Sequence, residues 1–423
     1  MRLAPLALLL LALPACSSAS DLTEHRKRRA ELAKAVPDGV VVLFARGGGE
    51  GRGRYFQEPN FAYLTGWRRP GAVLLLAPDR EILFLPLRDE RTETYEGPML
   101  APEDPKAREI TGFDQVMPVT HLERELRLAL ERYPRIYTLA SRPEAEKLRT
   151  LAPLRQTSDV RPAIAKLRAR KSQQELEQIR RSIAVTIEAH RAAWKRLEPG
   201  LYEHQIAATL MGVFLERGCE DAAYPPIVAS GPNALILHYE ENVRRMEAGE
   251  LLLVDAGATC NGYAADLTRT VPVSGRFTPR QRELYEAVLG ALKAVVAAIR
   301  PGVLLGSRTD NVGLQKIARD YLDAHGKDAQ GRPLGARFVH GIGHRVGLDV
   351  HDVYQETLNL PLEAGDVVAI EPGVYLKEEG IGIRIEDMVL VTEQGAVLLS
   401  EALPREVADI ERELGRVRSA GKP

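Results

Sequence analysis

The sequence predicts an α+β protein in two parts, a smaller α/β domain followed by a larger domain on a mixed or antiparallel sheet. Three observations lead there. The 423 residues exceed what one hydrophobic core supports, since chains beyond roughly 250–300 residues split into domains. Up to about residue 160, apolar runs alternate with amphipathic helical stretches, as in an α/β layer. Beyond Gly218, strands come in runs with helices between the runs, which is the α+β pattern. Hydrophobic content of 45% and charged content of 27% suit an ordinary globular chain. A net charge of −1 and an aromatic content of 5% give neither the electrostatic nor the stacking basis for a nucleic-acid partner.

Residues 1–20, "MRLAPLALLLLALPACSSAS", stand apart from the fold. One positive charge at Arg2 precedes an apolar run too short to span a membrane, and Pro5 and Pro14 rule out a buried helix. This is the form of an export signal. Leu13-Pro14-Ala15-Cys16 is similar to a bacterial lipoprotein processing site. Processing there would leave Cys16 lipidated, with that lipid as the only membrane contact; ordinary cleavage would leave the protein periplasmic. Cys219 and Cys260 then remain. A disulfide is open to such a pair in an exported protein, but nothing in the sequence brings the two together, and two buried thiols are the expectation.

A charged helix, "HRKRRAELAKAV", turns at Pro37-Asp38-Gly39 into the strand "VVVLFA". The glycine-rich "RGGGEGRGR" (46–54) lacks the Gly-Lys-Ser/Thr ending of a phosphate loop and reads as a surface loop. The runs "GAVLLLAP" and "EILFLPL", with helices at 121–132 and 143–150, complete a first domain over 24–160. The basic "AKLRARK" (165–171) fits an interdomain connection. From Ser172 a long amphipathic helix runs to Pro199-Gly200, opening a second domain over 172–405, and a helix over 203–217 follows. Strands are expected at 224–229, 235–238, 251–258, 264–273, 337–340, 366–371 and 381–392, with helices at 280–299 and 311–324. Residues 406–423 read as a charged tail.

The chemistry gathers in the second domain. In "LLLVDAGATCNGYAADLTRTVPV" (251–273), Asn261-Gly262 signals a tight hairpin turn. With these two as the turn, Asp255 faces Thr268 and Asp266 faces Gly257. Side chains alternate along strands, so both aspartates share one face as diagonal neighbours, roughly 7–8 Å apart. Two carboxylates aimed into one space repel unless a proton or cation intervenes. Glu371 ends the apolar strand "DVVAIEPG", where a solvent-exposed acid would also be unremarkable. Glu386 lies in "GIGIRIEDMVLV", with Arg384 two residues earlier on the same face; simple pairing with a cation is an alternative there.

"HGIGHRVGLDVHD" (340–352) adds His340, His344 and His351. Its three glycines argue against a helix, at roughly 1 kcal/mol each, so the stretch reads as a loop or short strand. Taken alone it also fits three unrelated histidines satisfied locally. Taken together, Asp255, Asp266, His344, Glu371 and Glu386 form an oxygen-rich set suited to two hard or borderline divalent ions. A structural zinc site would favour thiolates.

With these residues the second half resembles the pita-bread metallopeptidases, the superfamily of methionine aminopeptidase, aminopeptidase P and prolidase. The matching segments are "SGPNALILHY" (230–239), "DAGATCNGYAADLTRT" (255–270), "HGIGHRVGLDVHD", "EPGVY" (371–375) and "GIRIED" (382–387). "FQEPNFAYLTGWRRPGAVLLL" (56–76) resembles the creatinase-like N-terminal domain of aminopeptidase P, and the likeness covers about residues 24–405. It implies Asp255, Asp266, His344, Glu371 and Glu386 as ligands of two divalent ions, manganese(II) foremost with cobalt(II) and zinc(II) as alternatives. It further implies hydrolysis of peptides with proline in second position by a metal-bridging hydroxide, with Glu371 accepting the water's proton. His351 and His238 would stabilise the oxyanion, His340 would line a proline pocket, and Arg384 would orient Asp266 or Glu386. A homo-oligomer is the expected assembly. A prolidase acting on dipeptides is the alternative, and a non-catalytic peptide-binding module the remote one. Cys260 and Arg345 depart from the family's pattern; the second leaves the substrate side-chain preference open.

Overall fold

The apolar runs Val40–Leu43, Val73–Ala77 and Ile82–Leu85 are buried throughout, so each forms a strand of a sheet covered on both faces. The computed structural model describes residues 19–48, 54–307, 309 and 311–420, and the chain divides into two compact units, Met1–Leu167 and Arg168–Pro423. In the first unit a six-stranded sheet runs in the order Gln115–Pro118, Arg80–Leu85, Val73–Ala77, Gly39–Phe44, Arg135–Thr138, Gln156–Asp159. Its three central strands pair antiparallel and the outer ones parallel. Helix Leu122–Arg132 sets Leu122, Leu126, Ala129 and Leu130 against the sheet. Residues 1–18 of the expected signal, and 49–53 of the glycine-rich loop, lie outside the described residues. No helix among the described residues is long and apolar enough to cross a membrane.

The second unit opens with a capping box. Ser172 Oγ accepts from Glu175 N (3.3 Å), while the Glu175 carboxylate accepts from Ser172 N (3.0 Å), which starts helix Gln173–Arg196. That helix joins Glu203–Glu216, Pro279–Ala298 and Gly313–His325 around a core shared with the strands. One sheet is Leu267–Pro272, Leu251–Ala256, Ile227–Ser230; a second is Gly343–Arg345, Val367–Ile370, Asp387–Thr392, Gly395–Leu398; Gly373–Leu376 pairs with Ile381–Arg384. All these pairings are antiparallel.

Several expectations are corrected. The strands at 235–238 and 337–340 are absent: Pro232 and Pro333 open the short helical turns Gly231–Leu235 and Leu334–Arg337, and irregular chain follows each. Short apolar runs do not distinguish such segments from strands. The "tail" from 406 is largely helix, Val407–Ala420, with Val407, Ile410 and Leu414 buried at helical spacing. Cys219 and Cys260 are not thiols but a disulfide. Strand Asp221–Ala222 pairs with Ala258–Thr259, and this register brings the two cysteines, 41 residues apart in sequence, together as diagonal neighbours at its end. The boundary between the two units falls within the basic stretch 165–171, as expected of a connection, although its Arg168 and Lys171 are buried.

Candidate active site

The hairpin places the first two carboxylates. Asn261 and Gly262 both take left-handed backbone (φ 52° and 79°), and the pairing expected from them is observed, Asp255 with Thr268, Thr259 with Ala264 and Cys260 with Tyr263. Opposite Asp266, Gly257 leaves no room for a side chain, because a Cβ would lie 1.7 Å from Ala265 O. Asp255 and Asp266 are buried and joined through Tyr224, whose hydroxyl lies 2.5 Å from Asp255 Oδ1 and also reaches Asp266 Oδ1. One phenolic proton serves one acceptor. The second carboxylate must be met by another proton or by a cation.

His344 and the two glutamates close on the same space. His344 Nδ1 donates to Arg345 O (3.2 Å), which leaves the lone pair of Nε2 free to act as a ligand. That Nε2 lies 3.4 Å from Asp266 Oδ2 and 3.8 Å from Glu371 Oε1. Glu386, buried, donates its backbone N–H to Thr268 O (3.0 Å) and accepts from Thr268 Oγ1 (2.8 Å). Ligand-capable atoms of Asp266, His344 and Glu386 all fall within 4.8 Å of one another. Burial, then the charge of Asp255, pushes Asp266 well above the usual carboxylate range; burial and Asp266 do the same to Glu386. Burial and Glu386 push Glu371 up to about 8. Acids held so far from their ordinary ionisation by one another are what a bound cation reverses. The donor set of carboxylate oxygens and one imidazole therefore fits divalent metal.

Arg384 requires a correction. It was expected to orient Asp266 or Glu386, but Nη2 pairs with Asp255 Oδ2 at 2.5 Å and Nη1 donates to Tyr375 OH at 2.9 Å. Arg384 and Glu386 do lie on one side, as expected, since Arg384 Nε meets Thr268 Oγ1 (3.3 Å), the same hydroxyl that donates to Glu386; only the partner of the guanidinium's charge differs.

The histidines differ in setting. Arg384 donates to Tyr375 OH, Tyr375 OH contacts His340 Nε2 (2.8 Å), and His340 Nδ1 contacts Gly341 O (2.9 Å). These contacts are all satisfied by one neutral tautomer, in which Nδ1 donates and Nε2 accepts. Burial and Arg384 lower His340 to about 3. The His351 ring stands edge-on to that of His344 with centroids 4.2 Å apart; burial, then His344 and His238, lower it to about 4. His238 is exposed, yet near enough for its charge to act on both His340 and His351. The nine residues singled out in the sequence thus gather in one region. Arg345 instead turns away from His344 along the strand, pairs with Asp366 and donates to Thr357 O and Pro361 O.

Residues 177–393 match the model of metallopeptidase family M24, and residues 25–137 match the aminopeptidase P N-terminal domain. The chain belongs to metallopeptidase family M24. The Xaa-Pro aminopeptidase of Haemophilus influenzae is 33% identical, over 92% of this chain and 96% of its own length. Two solved structures of Escherichia coli aminopeptidase P, one with the inhibitor Pro-Leu and one zinc-substituted in complex with product, are each 30% identical with a TM-score of 0.82. Each match covers 94% of this chain and 99% of theirs. The M24 chain is a metallo-aminopeptidase with the pita-bread fold.

Three residues of this M24 site escaped sequence reasoning. Tyr224 and Tyr375 carry hydroxyls into the carboxylate and histidine networks, but a tyrosine beside apolar neighbours gives no signal of that. Glu203, fully buried at a helix start, accepts from Ser230 N and Oγ, Asn233 Nδ2, Tyr239 OH and Arg244 N, and so folds the loop that bears His238. In sequence it reads only as an acid favoured at a helix N-terminus.

Proposed function

We propose that this M24 enzyme removes the N-terminal residue from peptides with proline in second position, using two divalent cations held by Asp255, Asp266, His344, Glu371 and Glu386. The observation that carries the reading is the convergence of four acids and His344 Nε2 on one largely buried space, where their mutual repulsion calls for protons or cations. When bound, the cations would supply Lewis-acid polarisation and acidify an attacking water, the chemistry amide hydrolysis needs near neutral pH. Glu371, at the edge of the cluster between His344 and His340, takes the proton of that water. His351 is neutral at pH 7, so it offers a ring N–H to the oxygen that gains charge as the amide carbon becomes tetrahedral. His238 offers a second donor, and His340, locked by Tyr375, walls the site against the proline ring. Arg384 neutralises Asp255 and keeps it aimed inward.

The preference for Xaa-Pro is supported by the N-terminal domain match and by the relatives' activity. Manganese(II) is the proposed native ion. Hydrolysis rates on Xaa-Pro-Xaa tripeptides and Xaa-Pro dipeptides, measured after chelation and metal add-back, test the reading. Dipeptide-only turnover would make the enzyme a prolidase. We propose further that the chain is exported and lipidated at Cys16. Recovery of the native protein with Met1 intact would refute export, and a soluble form starting past residue 16 would refute lipidation.

A further inference from the structure

Arg168, Lys171 and Asp352 form a buried ionic triad next to His351. Their exposures are 3%, 7% and 1%. Arg168 Nη2 bonds Asp352 Oδ1 and also Asp349 Oδ2 (2.7 Å), and Lys171 Nζ bonds Asp352 Oδ2 at 2.8 Å. Lys171 is itself fixed, donating from Nζ to Arg168 O (2.9 Å) and from its backbone N–H to Gly365 O (2.9 Å). Buried charges of this kind are weak evidence for stability, because apolar packing does as well or better; their best-attested use is to specify one geometry.

The backbone shows which geometry is specified. Val353, directly after Asp352, sits in the left-handed region at φ 46°, ψ 34°. Among the described residues the other non-glycine positive-φ positions are all asparagines, which tolerate that region; a β-branched valine does not without strain. Asp352 also donates its backbone N–H to Arg345 O (2.8 Å), next to His344. The Asp352 carboxylate occupies the space a side chain at Gly347 would need, 2.3 Å from an added Cβ. The loop is therefore held at Asp352 from the strand of His344, from Gly347 and from the two cations.

We propose that the Asp352–Arg168–Lys171 triad is the positioning device for His351, setting the direction in which its imidazole meets the scissile amide. This rests on the reading of His351 as an oxyanion donor. The triad residues touch no substrate; they act through the one peptide bond between 351 and 352.

The test is a double-mutant cycle on the metal-loaded enzyme with an Xaa-Pro-Xaa peptide, normalised to folded, metal-bound protein. Asp352→Asn should lower kcat by about 10–100-fold, the scale of a misplaced catalytic group, with KM and metal content little changed. In a His351→Ala background it should cost less than about 2-fold more. A loss that multiplies in full on His351→Ala overturns the proposal, as does normal kcat in Asp352→Asn. If Asp352→Asn fails to fold, Lys171→Met, which leaves Arg168 to neutralise Asp352, decides by the same non-additivity. Should His351→Ala itself leave kcat unchanged, the His351 role falls, and histidine-selective NMR judges the triad alone. A His351 resonance shifted or broadened by Lys171→Met upholds it, and an unchanged one overturns it.

Discussion

Replacing Cys219 and Cys260 together by serine removes a crosslink that closes a loop of 41 residues. In the chain-entropy account, a loop of that length restricts the unfolded chain by about 13 cal/mol/K, or about 4 kcal/mol at 25 °C. Relief of native strain and residual structure in the unfolded chain lower the figure, so about 2–4 kcal/mol is the expected loss. Its location gives it a functional side. Cys260 sits at the tip of the hairpin carrying Asp255 and Asp266, and Cys219 begins the strand segment that leads to Tyr224, which joins those aspartates. Urea unfolding of the oxidised protein and the double-serine variant, each metal-loaded, should show the midpoint lowered for the variant. Thiol titration of the unfolded wild-type chain should find neither cysteine free. Two reactive thiols, or identical unfolding midpoints, would refute the crosslink and the reasoning from it.

Asp255→Asn should lose metal and activity together, because in the proposed site it removes a ligand charge without changing bulk; elemental analysis beside peptide turnover checks this. His344→Ala should likewise lower metal content, whereas His351→Ala should keep its metals and fold yet lower kcat by roughly 10²–10³, as expected for one lost oxyanion donor. Near-normal kcat in that variant would remove the assignment. Burial pushes Asp352 up, but Arg168 and Lys171 outweigh it and hold the acid below its ordinary 3.8. A depressed folded-state value means the stabilisation is present above pH 4 and lost as pH falls through the folded value. The stability gap between wild type and Asp352→Asn, both in chelator, should therefore be full at pH 7 and shrink below pH 4; a gap independent of pH would contradict the ion triad.

Much of the site was legible because strand physics is local. Asn261-Gly262 signals a tight turn, and that turn sets the partner of Asp255 across the hairpin, Thr268. The same reasoning put Arg384 on the side of Glu386, where both meet Thr268 Oγ1, but it failed to name Asp255 as the guanidinium's partner, which tertiary packing decides. It failed again for the two cysteines, brought together by the pairing of Asp221–Ala222 with Ala258–Thr259. The basic 165–171 segment reads in sequence only as a connection, because nothing nearby answers its charge; Asp352, which does, lies 181 residues on from Lys171. The C-terminal residues looked like a tail because their apolar positions are sparse, though Ile410 and Leu414 have the spacing of one helical face.

The central claim is that the buried acids and His344 hold metal that the hydrolysis requires. Activity on an Xaa-Pro-Xaa peptide, followed through chelation and metal add-back with metal content measured at each step, addresses it most directly. Turnover should vanish as metal is stripped and return as two ions per chain are restored, best with manganese(II). Full turnover in a preparation shown to be free of metal would contradict it.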